Sequence, residues 1–227
     1  MVWANGLTKE YVVGRHRARV VNGLNFTFRE REITAVTGPS GSGKTTLLRM
    51  IGGLSKPTAG TISVRGQDLY ALSDSQLSRY RNREIGFVFQ DYRLLPNYNA
   101  IENAMMGLVV SRASKREQRQ GAKRALRMVG LGQLANQRVD RMSGGQQQRV
   151  GIARALAMGP SVLIADEPTG NLDQASGAGI MSLFHRLRNE EGLSIVLVTH
   201  DERLADEGDH LIRLVDGRVQ EDSRGAD

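Results

Sequence analysis

The chain has 227 residues, a formal net charge of +7, 40% hydrophobic and 24% charged residues, and no cysteine. That length holds one sizeable α/β core, or a core with a small subdomain. The missing thiols exclude both a disulfide framework and a thiolate metal site. The opening MVWANGLTKEY has no apolar centre of the signal-peptide kind. The best apolar runs, SVLIA (161–165) and LSIVLV (193–198), fall well short of the ~18 residues of a membrane span. A cytosolic protein able to sit against a membrane is expected. The positive charge leaves three readings open: nucleic acid, an anionic bilayer face, or a solvated basic surface.

Taken in order, the chain begins with strands near Val2–Leu7 and Leu24–Phe28, followed by ITAVT (33–37) running into a glycine loop. A helix over 44–51 ends at Gly52-Gly53, PTAG (57–60) is a turn, and TISV (61–64) a short strand. Ser73 and Gln76 form a capping box for a helix reaching about Arg83, and IGFVF (85–89) is a buried strand. From about Asp91 to Pro160 the pattern is helical and amphipathic. Its basic stretch, SRASKREQRQGAKRALR (111–127), starts with a Ser114–Glu117 capping box. Ala122, Ala125, Leu126 and Val129 follow helical spacing, with Gly130 as the stop, so the charges form the wet face of a helix. SVLIADEP and LSIVLVTHD then read as parallel strands buried on both faces, with chemistry at their carboxyl ends. DHLIRLVDGRV (209–219) is a closing hairpin turning at Asp216-Gly217. The pattern predicts a parallel α/β core from residues 1–90 and 161–227, interrupted by a helical subdomain over 91–160.

Gly38-Pro39-Ser40-Gly41-Ser42-Gly43-Lys44-Thr45 fits G-x-x-x-x-G-K-[ST] at every position. Glycines let the backbone wrap a phosphate so that successive N–H groups converge on its oxygens, and the helix that follows adds its positive end. Lys44 brings a full charge to the β- and γ-phosphates, the Thr45 hydroxyl suits Mg²⁺, and Thr46 reaches the α-phosphate side. A nucleotide site is expected.

VLIADEP places Asp166 and Glu167 at a buried strand's tip, where adjacent carboxylates repel unless a cation or proton compensates. Asp166 suits Mg²⁺ through water, and Glu167 suits polarising the attacking water. His200 ends another apolar strand in LVTHD, where it can meet the γ-phosphate or Glu167. His16, His185 and His210 lack such a setting and are expected on the surface.

A second cradle stands at RMSGGQQQRVGIARAL (141–156). A helix from about Gln146 to Ala157 would present Ser143, Gly144 and Gly145 at its positive end. The first loop already grips the phosphates of its own subunit, so this site calls for an anion held by a second copy, arranged head to tail.

RMSGGQQQR resembles the signature motif of ATP-binding cassette (ABC) proteins, and the order of motifs along nearly the whole chain is similar to that family's. The resemblance makes Gly38–Thr46 the Walker A loop and Val162–Glu167 the Walker B strand. It makes Gln90, in FVFQDYRLLP, the Q-loop glutamine that touches Mg²⁺ and water and faces the membrane subunit. Asn171-Leu172-Asp173 becomes the D-loop at the dimer interface, Ser143–Gln146 the γ-phosphate contact of the opposing copy, and His200 the switch histidine. Tyr11 fits the aromatic that stacks on adenine, with Val20 packing near the ribose. Met142 stands where the family has leucine and Val139 where a proline is common. The implied fold is α/β: a P-loop NTPase (RecA-like) parallel-sheet core with an N-terminal antiparallel β subdomain and an inserted α-helical subdomain. The implied activity is Mg²⁺-dependent ATP hydrolysis.

FVFQDYRLLPNYNAIENAMMGL with DEPTGNLD is similar to the branch serving lipoprotein release, macrolide efflux and cell division. That likeness implies an ATP-bound homodimer driving a separate transmembrane permease of the MacB, LolC or FtsX type. It would be docked near Gln90–Pro96 on the cytoplasmic face of the inner membrane, with the ATPase peripheral. A nucleic-acid-linked cassette is the alternative. Such relatives usually carry coiled-coil insertions or paired cassettes, which this chain lacks. A small-molecule kinase would share the glycine loop but give SGGQ no role.

Overall fold

The structure, a computed structural model, describes residues 1–14, 16–111 and 113–224. Arg15 and Arg112, each within an arginine-rich stretch, lie outside the described residues. In chain order the elements are β1 (Val2–Val13), β2 (His16–Phe28), β3 (Ile33–Thr37), α1 (Lys44–Ile51), β4 (Ala59–Val64), β5 (Gln67–Asp68), α2 (Asp74–Glu84) and β6 (Ile85–Phe89). There follow α3 (Ala100–Met105), α4 (Lys115–Met128), α5 (Gly144–Leu156), β7 (Val162–Asp166), α6 (Gln174–Glu191), β8 (Ser194–Val198), α7 (Glu202–Asp206), β9 (His210–Val215) and β10 (Arg218–Asp222). The chain divides into two compact units, Met1–Arg81 with Ser194–Asp227, and Asn82–Leu193.

The first unit holds an antiparallel sheet and a mainly parallel one. In the antiparallel sheet, β1 lies between β2 and β4, and β5 extends β4. Val2, Ala4, Leu7, Val21, Leu24, Phe26 and Ile62 are all buried. β1 and β2 run much further than the apolar pattern suggests, pairing from Val2↔Phe28 to Val13↔His16. Their far end carries Arg17 and Arg19, both exposed. A hairpin tip in water needs no period-two alternation, so it has no apolar signature to read.

In the other sheet β3 is buried along its whole length and runs parallel to both β8 and β9. β10 closes the edge antiparallel through Asp216 (φ +48) and Gly217 (φ +72), the left-handed pair that a two-residue hairpin turn demands. His210, expected at the surface, is buried at 2% exposure. Its Nε2 lies 2.7 Å from Oδ1 of Asp222 on β10. The cross-strand carboxylate supplies the partner that lets a polar ring enter the core. His16 is exposed as expected, and His185 is half-buried.

In the second unit β6 and β7 are parallel, in register from Ile85↔Val162 to Phe89↔Asp166. The helices α3, α4 and α5 pack on one another, burying Ile101, Leu126 and Ile152. The Ser114–Glu117 capping box opens α4, and Ala122, Ala125, Leu126 and Val129 face inward. Lys115, Arg116, Arg119, Lys123, Arg124 and Arg127 are exposed, the wet face expected of that helix. Among the described residues, no helix is long and apolar enough to cross a membrane.

Candidate functional site

The glycine loop of the first unit connects buried β3 to α1. Gly38 has φ +139, and a Cβ there would fall 2.0 Å from the Leu214 carbonyl oxygen. Gly43 has φ +102, with a Cβ position 2.6 Å from the carbonyl oxygen of Val20. Neither position can carry a side chain, so the loop's path depends on both glycines. Helices α3 to α7 are each capped by a side chain, from Asn99, Ser114, Ser143, Asp173 and Asp201 respectively. Helix α1 has none. No N-cap side chain competes there with an external anion for the start of the helix. Lys44 Nζ donates to the carbonyl oxygens of Gly38 (2.7 Å) and Pro39 (2.9 Å), holding the ammonium on the rim of the loop. The Ser42 hydroxyl is 2% exposed, and its Oγ has no hydrogen-bond partner among the described residues. Pro39, Ser40 and Thr45 are exposed, and Gly41 (φ +81) has open space at its Cβ position. Wrapped glycines, an uncapped helix start and a folded-back lysine suit a nucleotide's phosphates.

Two other residues of this unit belong with the loop. Val36 pairs with Val198 in the parallel ladder, so Gly38 and His200 follow their strands at the same height. Thr199 N–H donates to the Val36 carbonyl at 3.3 Å, and His200 is exposed beyond it. Val20 presents its backbone carbonyl to Gly43, close to the loop. Tyr11 lies on β1, 36% exposed, with Lys9 Nζ 5.1 Å from its ring centroid.

In the second unit, register Phe89↔Asp166 sets Gln90 and Glu167 just past the carboxyl ends of adjacent parallel strands. Asp166 and Glu167 are half-buried, Gln90 exposed. Glu167 has φ +50, a left-handed backbone that is rare for a side chain of this size. It also precedes Pro168, a position biased toward extended conformations. A turn bond from Gly170 N–H to the Glu167 carbonyl (3.1 Å) helps hold this geometry. Asn171 Nδ2 donates to the Gln90 carbonyl (3.2 Å) and to Asp91 Oδ1 (3.3 Å), tying the D-loop to the segment after β6. Arg154 of α5 donates to the Tyr92 carbonyl at 2.8 Å and also to that of Arg93, fixing the next turn of the same segment.

The second cradle starts two residues earlier than the spacing indicated, at Gly144, because Ser143 itself is the N-cap. Ser143 Oγ accepts from Gln146 N–H (3.3 Å), and Gln146 Oε1 accepts from Ser143 N–H (3.1 Å). This capping box uses a hydroxyl lone pair and leaves the Ser143 proton free to donate. The Gly144 and Gly145 N–H groups lie outside the box. A Cβ on Gly144 would stand 3.1 Å from the Tyr92 hydroxyl, and one on Gly145 3.3 Å from Ser176 Oγ. Asp173 caps α6, accepting from Ser176 N–H (2.9 Å) and Ser176 Oγ (2.7 Å). The Ser176 bonds, from the backbone first and then the side chain, lower the Asp173 carboxyl pKa.

Motif order puts Asn171 in the D-loop but assigns it no contact. Neither Gln148 of α5 nor the Glu167 backbone carries a signal in those motifs. Three consecutive glutamines in QQQR look like wet helix surface, and backbone sign is not written in a side chain.

A P-loop and an acidic strand end on parallel sheets define the class: a nucleotide-binding α/β ATPase. The match to the ABC transporter family model over residues 21–170 goes further, and the chain belongs to that family. It is 45% identical over 219 residues to the lipoprotein-releasing system ATP-binding protein LolD of Anaeromyxobacter dehalogenans, covering 96% of this chain and 92% of that protein. It is 42% identical to the macrolide export ATP-binding/permease protein MacB of Rhodopirellula baltica, covering 99% of this chain and 33% of that longer one. Among solved structures, the ATP-binding cassette MJ0796 in a dimeric post-hydrolysis state with ADP and Pi matches at TM-score 0.87 and 40% identity, over 98% of each chain. The chain is an ATP-binding, ATP-hydrolysing cassette of the transporter type, and these relatives do not favour the nucleic-acid alternative.

Proposed function

We propose that two copies of this cassette close head to tail over two ATP molecules, and that closure drives a separate permease at the cytoplasmic face of the inner membrane. The observation that carries this reading is the Ser143 capping box. The hydroxyl is held at a helix N-terminus as an acceptor and, among the described residues, donates no hydrogen bond, although the chain already has a phosphate loop at Gly38–Thr46. Ser143 with the Gly144 and Gly145 N–H groups is assigned to the γ-phosphate gripped by the other copy, with Gln146 holding the cap and Asp173 ordering the adjacent helix start.

Within each copy, Gly38 to Gly43 wrap the phosphates, Lys44 counters their charge, and Thr46 meets the α-phosphate side. Tyr11 stacks on adenine and Val20 packs near the ribose. Thr45, Gln90 and Asp166 would hold Mg²⁺ together with phosphate oxygens, an oxygen-rich set suited to that ion. Held there, the ion would supply positive charge against the phosphates. Glu167 accepts the proton of the attacking water, and His200 donates to the γ-phosphate. Gln90–Pro96, at the entry to the helical subdomain over 91–160, faces the permease. Tyr92, Arg93, Leu94 and Pro96 line an open groove of about 320 Å³ there.

The magnitudes suit a switch. A charge-assisted hydrogen bond contributes ~1.5–3 kcal/mol and a helix end up to ~2, so two symmetric sites supply roughly 6–10 kcal/mol. Association costs about 4–15 kcal/mol, so the terminal phosphate decides between open and closed. The MacB relative carries ATP-binding and permease parts in one protein of which this chain spans 33%. Together with LolD, that relative supports the branch of lipoprotein release and macrolide export and a permease as the partner. The test is sizing of Glu167→Gln with ATP and Mg²⁺. A dimer that disperses when ATP is removed is expected, and a persistent monomer would overturn the reading.

A further inference from the structure

We infer that Gln148 is a positioning residue for the hydrolytic apparatus: from within the signature helix it holds both strand ends that carry Glu167 and Gln90. The inference rests on the role of Glu167 proposed above. Gln148 is fully buried, at 0% exposure, five residues after Ser143 on α5. Its Nε2 donates to the Pro168 carbonyl at 2.6 Å and lies 3.5 Å from the Phe89 carbonyl. Pro168 directly follows Glu167, and Phe89 directly precedes Gln90. One amide therefore reaches the ends of both parallel strands.

Two features make this more than core packing. The Gln148 Oε1 is buried and has no hydrogen-bond partner among the described residues. A side chain that leaves its own acceptor unpaired in the interior is placed there for what its donors do, since buried polar atoms are otherwise almost always matched. The second feature is the backbone it grips. Glu167 sits at φ +50 before a proline, a geometry that persists only where its surroundings over-determine it. The Gly170 turn bond fixes the carbonyl of Glu167, and Gln148 fixes the carbonyl of the next residue. Together they hold the backbone that carries the carboxylate. Because Ser143 and Gln148 belong to one rigid helix, an anion docked at the helix start and the residues that act on this copy's own nucleotide share a single element.

Gln148→Met keeps the chain length and removes the donors. Its ATP affinity should stay within about twofold of the parent, because the glycine loop is untouched, while kcat falls tenfold or more. Hydrogen exchange should quicken over residues 167–171 and remain unchanged over the glycine loop. If Gln148→Met does not fold, Gln148→Asn keeps the amide but loses its reach, and the same split between affinity and turnover is expected. Parental kcat in a folded variant, or equal losses of affinity and turnover, overturns the inference. So does global unfolding of both variants, which would leave Gln148 a core residue only. Glu167→Gln measured alongside separates the two readings. If that variant hydrolyses ATP normally, the role of Glu167 fails; if it is inactive and Gln148→Met is normal, only the positioning role fails.

Discussion

Lys44 Nζ stands 2.7 Å from the carbonyl oxygen of Gly38, six residues back along the chain, so the loop's only ammonium closes over its own backbone. These carbonyls are weak competitors for a triphosphate, which offers full negative charge at the same place. Lys44→Ala should weaken ATP binding by about 3 kcal/mol, a hundredfold or more in Kd, when measured by calorimetry. The unliganded protein should melt within a degree or two of the parent, and the rise in Tm with added ATP should disappear. Lys44→Arg should not restore affinity, since a planar guanidinium does not replace a compact ammonium in a closed loop.

Ser143 combines two jobs that substitution can separate. As an N-cap it accepts from Gln146 N–H, and Asp serves there as well as Ser or better beside a positive helix end. As the proposed γ-phosphate donor it needs a proton, which a carboxylate lacks. Ser143→Asp should therefore fold with parental stability and yet fail to dimerise with ATP, even combined with Glu167→Gln. Ser143→Ala should lose about 1 kcal/mol of stability and only part of the dimer affinity. Denaturant melts and sizing of the two variants decide it. A dimer of Ser143→Asp would show that no phosphate approaches that helix.

Most of the chemistry is legible because it is local. The glycine loop, DEP and SGGQ each gather their residues within ten positions, and each sits at a boundary that capping and strand rules locate. The parts that were not legible are long-range. Gln148 looks polar and wet in QQQR, and only its contacts with residues 89 and 168 explain its burial. His210 enters the core because Asp222, twelve residues on, meets it across a hairpin. The far half of β1 and β2 is stranded by cross-strand pairing alone, its exposed faces leaving no apolar period to find.

Asp173 gives a pH dependence whose sign follows from its cap. Its folded carboxyl pKa is lowered by the Ser176 hydrogen bonds, the backbone one foremost. A depressed folded value means that the stabilisation is present above the ordinary carboxylate range and is lost as pH falls through the folded value. Asp173→Asn keeps an N-cap acceptor without titrating. Its melting temperature should fall less steeply than the parent's as pH drops below the ordinary carboxylate range. Parallel profiles for the two proteins in that window would show that the cap does not depend on the charge.

Glu167 allows strain and chemistry to be pulled apart. A left-handed backbone costs an L-residue roughly 1–2 kcal/mol, and a following proline adds to it. Glycine has no such penalty at φ +50. Glu167→Gly therefore relieves strain while removing the carboxylate, whereas Glu167→Ala removes the carboxylate and keeps the strain. Both should lose ATP hydrolysis. The glycine variant should be the more stable of the two by about 1 kcal/mol, near 2–4 °C in Tm for a chain this size. Ordinary surface substitutions to glycine lower stability, so a reversed order is a specific signature. If Glu167→Gly melted below Glu167→Ala, the carboxylate would not be held against a backbone penalty, and another cause for its geometry would be needed.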